Sequence, residues 1–180
     1  MKIIKNKLKN KISIRTEKNF PIEGVEFIDI NPLIIDKVVL KEITDKLARR
    51  IKQLNVDYIV SPEARGFLFG SNVAYKLNVG FIPVRKKGKL PLSTVVKQVT
   101  YKKEYGEDIL ELPKLVNDDY KGKKFYLIDD IYATGNTLKA IEDGIIDLGG
   151  EVVGCGVVVN IKELNNNKII YSLIDVNEEN

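Results

Sequence analysis

The sequence predicts an α/β fold, a central and mostly parallel sheet with helices on both faces. Two observations predict it. The apolar runs at residues 125–128 and 152–159 are continuous rather than alternating, as in strands buried on both sides. Between such runs lie segments with apolar residues at helical spacing. No apolar run approaches the roughly 20 residues that a membrane helix needs.

The elements follow in order. Residues 25–30 are a short mixed segment closed by Asn31-Pro32. Residues 33–54 place Ile34, Ile35, Val38, Val39, Ile43, Leu47 and Ile51 at helical spacing with charges between, which predicts a helix. Residues 57–60 are a short strand stopped by Ser61-Pro62. Residues 66–77 read as helix and 80–84 as strand. Gly88, Gly106 and Gly122 then break the middle into a polar excursion. Within it, residues 94–105 alternate weakly and resemble an exposed hairpin more than a core element. Residues 125–128 are a strand, 136–148 a helix, and Gly149-Gly150 its stop. Residues 152–159 and 168–173 complete the strands.

Composition narrows the chemistry. Apolar content of 44% and charge of 30% in 180 residues suit one soluble domain with a real core. The lone Cys155 lies in an apolar run, so disulfides are out. Histidine is absent. That excludes Ser-His-Asp and Cys-His nucleophiles and argues against a protein zinc site. The charge of +4 is uneven: residues 1–18 carry seven basic groups against Glu17, so that segment is +6 and the remainder −2. We read residues 1–19 as a solvated basic extension and 20–180 as a single domain. Contact of this arm with nucleic acid is the less favoured reading. With neither a signal-peptide apolar core nor a transit-peptide composition, the chain is expected in the cytoplasm.

In a parallel sheet, ligands sit beyond the C-terminal strand ends. Here those ends carry Glu63-Ala64-Arg65-Gly66, Arg85-Lys86-Lys87-Gly88-Lys89 and Asp129-Asp130. The basic groups seek anions; the paired carboxylates seek hydroxyls or a metal ion. Residues 133–137 (Ala133, Thr134, Gly135, Asn136, Thr137) lead into a helix, whose free N–H groups attract phosphate. A ligand that needs all of this at once is a sugar phosphate with a metal-bound diphosphate.

The stretch around Asp129-Asp130 resembles the signature of the type I phosphoribosyltransferases, which use 5-phosphoribosyl-1-diphosphate as sugar donor. Further segments resemble the adenine phosphoribosyltransferase branch of that family. They are Phe20-Pro21 with Gly24-Val25-Glu26-Phe27-Ile28-Asp29-Ile30, Pro62-Glu63-Ala64-Arg65-Gly66-Phe67, Pro83-Val84-Arg85-Lys86-Lys87-Gly88-Lys89-Leu90-Pro91, and Glu104-Tyr105-Gly106. The resemblance runs from about residue 20 to 159, with the motifs in family order.

It implies the type I fold with a flexible lid hairpin at about residues 91–106. It implies a purine salvage enzyme that makes AMP and diphosphate from adenine and phosphoribosyl diphosphate, with magnesium, as a homodimer. Residues 133–137 would cradle the 5-phosphate. Asp129 and Asp130 would face the ribose hydroxyls and the magnesium shell, in part through water. Glu63, Ala64 and Arg65 would form the diphosphate loop, with a cis peptide expected at Glu63–Ala64. Arg65, Lys86 and Lys89 would contact the diphosphate. Phe27 would stack on the purine, while Glu26 and Ile28 offer backbone groups to its edge. Glu104 would manage the purine proton and Tyr105 would close over the diphosphate; the bland reading of Glu104 is a surface carboxylate. The chain departs from the family pattern at Ile28, where a basic residue is usual, at Asn136, where the phosphate loop usually has glycine, and in a lid about two residues longer. Two alternatives stand beside this reading: a 6-oxopurine enzyme, and a non-catalytic regulator that senses phosphoribosyl diphosphate or nucleotide.

Overall fold

The computed structural model describes residues 2–9, 14–20, 23, 26–102, 106–165 and 170–178. The elements are β1 (Lys2–Asn6), β2 (Arg15–Lys18), β3 (Glu26–Asp29), α1 (Asn31–Ile35), α2 (Lys37–Ile51), β4 (Tyr58–Pro62), α3 (Arg65–Leu77), β5 (Gly80–Lys86), β6 (Val95–Lys102), β7 (Glu107–Pro113), β8 (Lys124–Tyr132), α4 (Asn136–Asp147), β9 (Glu151–Ile161) and β10 (Tyr171–Glu178). Among the described residues the main sheet has eight strands in the order β1-β10-β9-β8-β4-β5-β7-β6, and β2 pairs with β3 in a separate ribbon. The five central strands, β10 to β5, run parallel. The two flanking additions, β1 on one side and the β7–β6 pair on the other, are antiparallel.

β8 shows why the central runs are unbroken. Side chains alternate across a strand. Tyr126 and Ile128 join the core under α2 and α3 with Ile43, Leu47, Phe69 and Val73. Phe125 and Leu127 join the opposite core under α4 with Ile141 and Ile145. Both faces are covered along residues 125–128, so that stretch is apolar throughout, and the acids Asp129 and Asp130 come only after it.

The predicted helix of residues 33–54 is divided. At Asp36 the backbone is extended (φ −78°, ψ 108°), and its carboxylate accepts the Val38 and Val39 N–H groups at 2.8 and 3.2 Å. That is an N-cap, which starts a new helix rather than continuing the old one. α2 then buries Val39, Ile43, Leu47 and Ile51 at four-residue spacing. α3 and α4 lie close to their predicted spans, and β5, β8 and β9 extend theirs. Only part of the predicted last strand, residues 168–173, is described, and that part opens β10.

Two expectations are corrected. Of the segment 94–105, residues 95–102 form β6 of a hairpin, but β6 and β7 extend the main sheet rather than standing out from it. Val99, Leu110 and Leu112 are buried in the core under α4, and a Cβ on Gly144 of α4 would lie 2.6 Å from Val99 Cγ1. The basic arm, expected to be a solvated extension, carries β1, which pairs with β10. Lys7 adds a backbone bond to Leu173 O at 2.9 Å, and Leu8 is buried.

Candidate active site

The ends of β5, β4 and β8 lie side by side, so three segments far apart in sequence form one rim. Glu63 and Ala64 follow β4 and are joined by a cis peptide bond, as expected. Arg65 opens α3. Its Nε lies 2.7 Å from Asp130 Oδ2 at the end of β8. That oxygen has no aligned hydrogen bond, so the contact is one of charge rather than of direction. The same guanidinium lies over the Phe27 ring, 5.5 Å from its centre, within range of a cation–π interaction. Phe20 packs edge-on against Phe27 at 5.1 Å. The structure thus brings together a predicted diphosphate residue, a predicted ribose residue and the predicted purine platform.

Asp129 is buried and accepts the Asp130 N–H at 2.8 Å. Burial first, then the Asp130 charge beside it, push its carboxyl well above the usual range. α3 can approach so closely because residue 66 is glycine. A Cβ there would lie 2.9 Å from Asp129 Oδ1.

Residues 133–137 have a shape that suits their predicted task. Gly135 has φ +79°, and a Cβ there would run into the Tyr132 hydroxyl. Having no side chain, Gly135 cannot cap α4, which leaves the first N–H groups of that helix for a ligand. Ala133, Thr134, Asn136 and Thr137 are half-buried around it. Asn136 begins α4, and its side-chain amide donates to Lys102 O of β6 at 3.1 Å.

The basic segment divides by role. Arg85, read from the sequence as anion-seeking, is paired: its Nε donates to Glu63 Oε2 at 3.0 Å. The same oxygen accepts the Lys86 N–H at 2.9 Å. The Arg85 bond, then that of Lys86, hold the Glu63 carboxyl below its ordinary value. Glu63 therefore turns its side chain toward the basic loop. Lys86, Lys87 and Lys89 are exposed.

Ile28 sits in β3 with only 3% of its surface exposed. Its buried side chain accounts for an apolar residue where the family usually has a basic one. Glu26 is placed by its backbone in the same strand. Glu104 and Tyr105 lie outside the described residues. The sequence reading missed Glu111, a carboxylate with 1% exposure whose oxygens accept Gly88 N–H and the Gln98 amide. Its one signal was a charge set in a short apolar stretch, Leu110-Glu111-Leu112.

A cavity of about 550 Å³ on the opposite rim, lined by Ala48, Ile51, Val56 and Leu77 among others, holds none of the predicted site residues. Among the described residues no three His, Cys, Asp or Glu side chains gather into an all-protein metal cage.

The phosphoribosyl transferase domain family matches residues 33–179. The chain is 52% identical to the adenine phosphoribosyltransferase of Clostridium acetobutylicum, over 86% of this chain and 88% of that one. The Clostridium botulinum (strain Loch Maree / Type A3) enzyme of the same name is 46% identical over 84% of this chain and 86% of that one. Among solved structures, adenine phosphoribosyltransferase from Thermoanaerobacter pseudethanolicus superposes with a TM-score of 0.82 at 37% identity, covering 90% of this chain and 95% of that one. The Saccharomyces cerevisiae enzyme, solved with adenine and an imino-altritol bisphosphate, gives 0.76 at 35% identity, covering 84% and 86%. With the motifs in order on one rim and the likeness spanning most of both chains, the chain belongs to the adenine phosphoribosyltransferase family of type I phosphoribosyltransferases.

Proposed function

We propose that the chain is a purine salvage enzyme that transfers the 5-phosphoribosyl group from 5-phosphoribosyl-1-diphosphate to adenine, giving AMP and diphosphate. The observation that carries the reading is the meeting of Arg65, Asp130 and Phe27 at one point. Three ligand parts, diphosphate, ribose and purine, converge there on the reacting carbon.

In the reaction the C1–O bond to diphosphate breaks and the N9–C1 bond forms. The diphosphate leaves with the electron pair, and the N9 proton passes to a base. Arg65, Lys86 and Lys89 stabilise the charge that develops on the leaving oxygens. The open end of α4 and residues 133–137 hold the 5-phosphate. The Phe27 ring stacks on the purine, and the β3 backbone at Glu26 and Ile28 reads its edge. Asp129 and Asp130 address the ribose hydroxyls. Glu104 takes the proton and Tyr105 covers the diphosphate.

The donor set also fits magnesium, which binds hard oxygens, keeps several waters and takes few protein ligands. The Asp130 oxygen without an aligned hydrogen bond is the place where Asp129 and Asp130 would hold that hydrated shell. When bound, the ion would neutralise diphosphate charge. A homodimer is also part of the proposal, since α1, α2 and α3 expose Ile35, Val38, Leu68 and Tyr75. No helix among the described residues is long and apolar enough to cross a membrane, and we place the enzyme in the cytoplasm.

The test is a panel of adenine, hypoxanthine, guanine and xanthine with phosphoribosyl diphosphate and magnesium, read by diphosphate release. Adenine turnover far above the others is expected. Preference for a 6-oxopurine would move the assignment to that branch, and no turnover with any base would leave the sensing regulator.

A further inference from the structure

Lysine ammoniums are mobile point charges on long stems. For Lys86 and Lys89 to meet a diphosphate reproducibly, the backbone beneath them has to be fixed. Three bonds fix it. Glu63 Oε2 accepts the Lys86 N–H at 2.9 Å. Ile109 O of β7 accepts the Lys87 N–H at 3.0 Å. Glu111 Oε2 accepts the Gly88 N–H at 3.1 Å, where the loop turns through φ +77°.

Glu111 is the unexpected member. It stands in β7 between two register partners, Arg85 of β5 and Gln98 of β6. Arg85 is turned to Glu63, so its guanidinium does not offset the buried charge. Its other oxygen, Oε1, accepts the Gln98 Nε2 amide at 2.9 Å. Burying a carboxylate is costly, and an apolar side chain between Leu110 and Leu112 would pack without that cost. Both of its oxygens are engaged, one by the turn of the basic loop and one by the outer strand of the hairpin.

We propose that Glu111 is a positioning residue for phosphoribosyl diphosphate. It holds the Gly88 turn so that Lys86 and Lys89 present their charges at a fixed height, and it ties that loop through Gln98 to β6. The proposal rests on the phosphoribosyl transfer assigned above.

The test uses the full chain and follows Michaelis constants for both substrates, with direct binding of phosphoribosyl diphosphate by calorimetry beside them. Glu111→Gln sets an amide donor against either the Gly88 N–H or the Gln98 amide. It should raise the constant for phosphoribosyl diphosphate about tenfold, leaving that for adenine and the turnover number within about threefold. The exchanged pair, Glu111→Gln with Gln98→Glu, reconstitutes both hydrogen bonds, the new amide at position 111 accepting the Gly88 N–H through its oxygen and donating through its NH2 to the new carboxylate at position 98, and places the charge at an exposed position. It should return the constant to within about threefold of the original. Gln98→Ala, at that exposed position, gives a second reading with a rise of about threefold. An unchanged constant in Glu111→Gln, or an exchanged pair as impaired as the single variant, overturns the proposal. So does an effect confined to thermal stability. Absence of adenine turnover in the unaltered chain counts against the functional assignment instead. Weaker calorimetric binding in Glu111→Gln would still support the positioning role.

Discussion

Asp129 and Asp130 are adjacent in sequence and opposite in electrostatic situation. Asp130 has a guanidinium 2.7 Å away. Asp129 is buried beside the Asp130 charge, and its carboxyl is raised well above the usual carboxylate range. An acid whose folded pKa lies above its unfolded one binds more protons when folded. Its contribution to stability is therefore lost as pH rises from about 4 through the folded value. Asp129→Asn removes that loss while keeping an oxygen for the Asp130 N–H. Melting temperature should be held or raised at pH 7, with a flatter slope between pH 4 and 7. A melting temperature well below wild type at pH 7, with the slope unchanged, would contradict this. Glu63 has the opposite sign, lowered from 4.5 by Arg85 and then Lys86. Its contribution is present above 4.5 and lost as pH falls through the lowered value. For catalysis, Asp130→Asn and Arg65→Ala should each reduce turnover by about a hundredfold or more without unfolding the chain. Wild-type rates in either variant would mean that the site is misplaced.

At the scale of elements, the helices and central strands were legible because each carries one clean period. α2 repeats every four residues, and β8 is apolar on both faces. The hairpin was only half legible. β7 reads Glu-Asp-Ile-Leu-Glu-Leu-Pro, and its acids hide a strand. The buried Glu111 is the kind of residue that a hydrophobic pattern cannot report, because its reason for being there is a hydrogen-bond geometry. The hairpin also docks on α4, through the Gly144–Val99 contact and a Lys97–Asp147 ion pair at 2.9 Å. Gly144→Leu should push β6 away and cost about 1–3 kcal/mol, read as a lower urea midpoint. An unchanged midpoint would show that β6 yields without penalty.

Across the whole molecule, the site was legible because its chemistry is concentrated at strand ends. Residues near 27, 65, 86, 130 and 135 each carried a motif; the parallel topology brings the last four to one rim, and Phe27, from the separate β2–β3 ribbon, reaches it through Arg65. What sequence reading could not supply was their pairing. That Arg85 serves Glu63 and Asn136 reaches Lys102 O depends on side-chain directions that no local pattern encodes. The far edge of the sheet was hidden for a different reason, since β1 has meaning only beside a strand some 170 positions later. Register joins Lys2 to Glu178 and Asn6 to Ile174. During synthesis the first residues made therefore wait for nearly the last ones before they find their hydrogen-bond partners. Chain entropy charges only a slowly growing amount for so long a loop, but such distant pairings form late. A ribosome-bound chain stalled before residue 171 should expose residues 2–6 to protease, and completion should protect them.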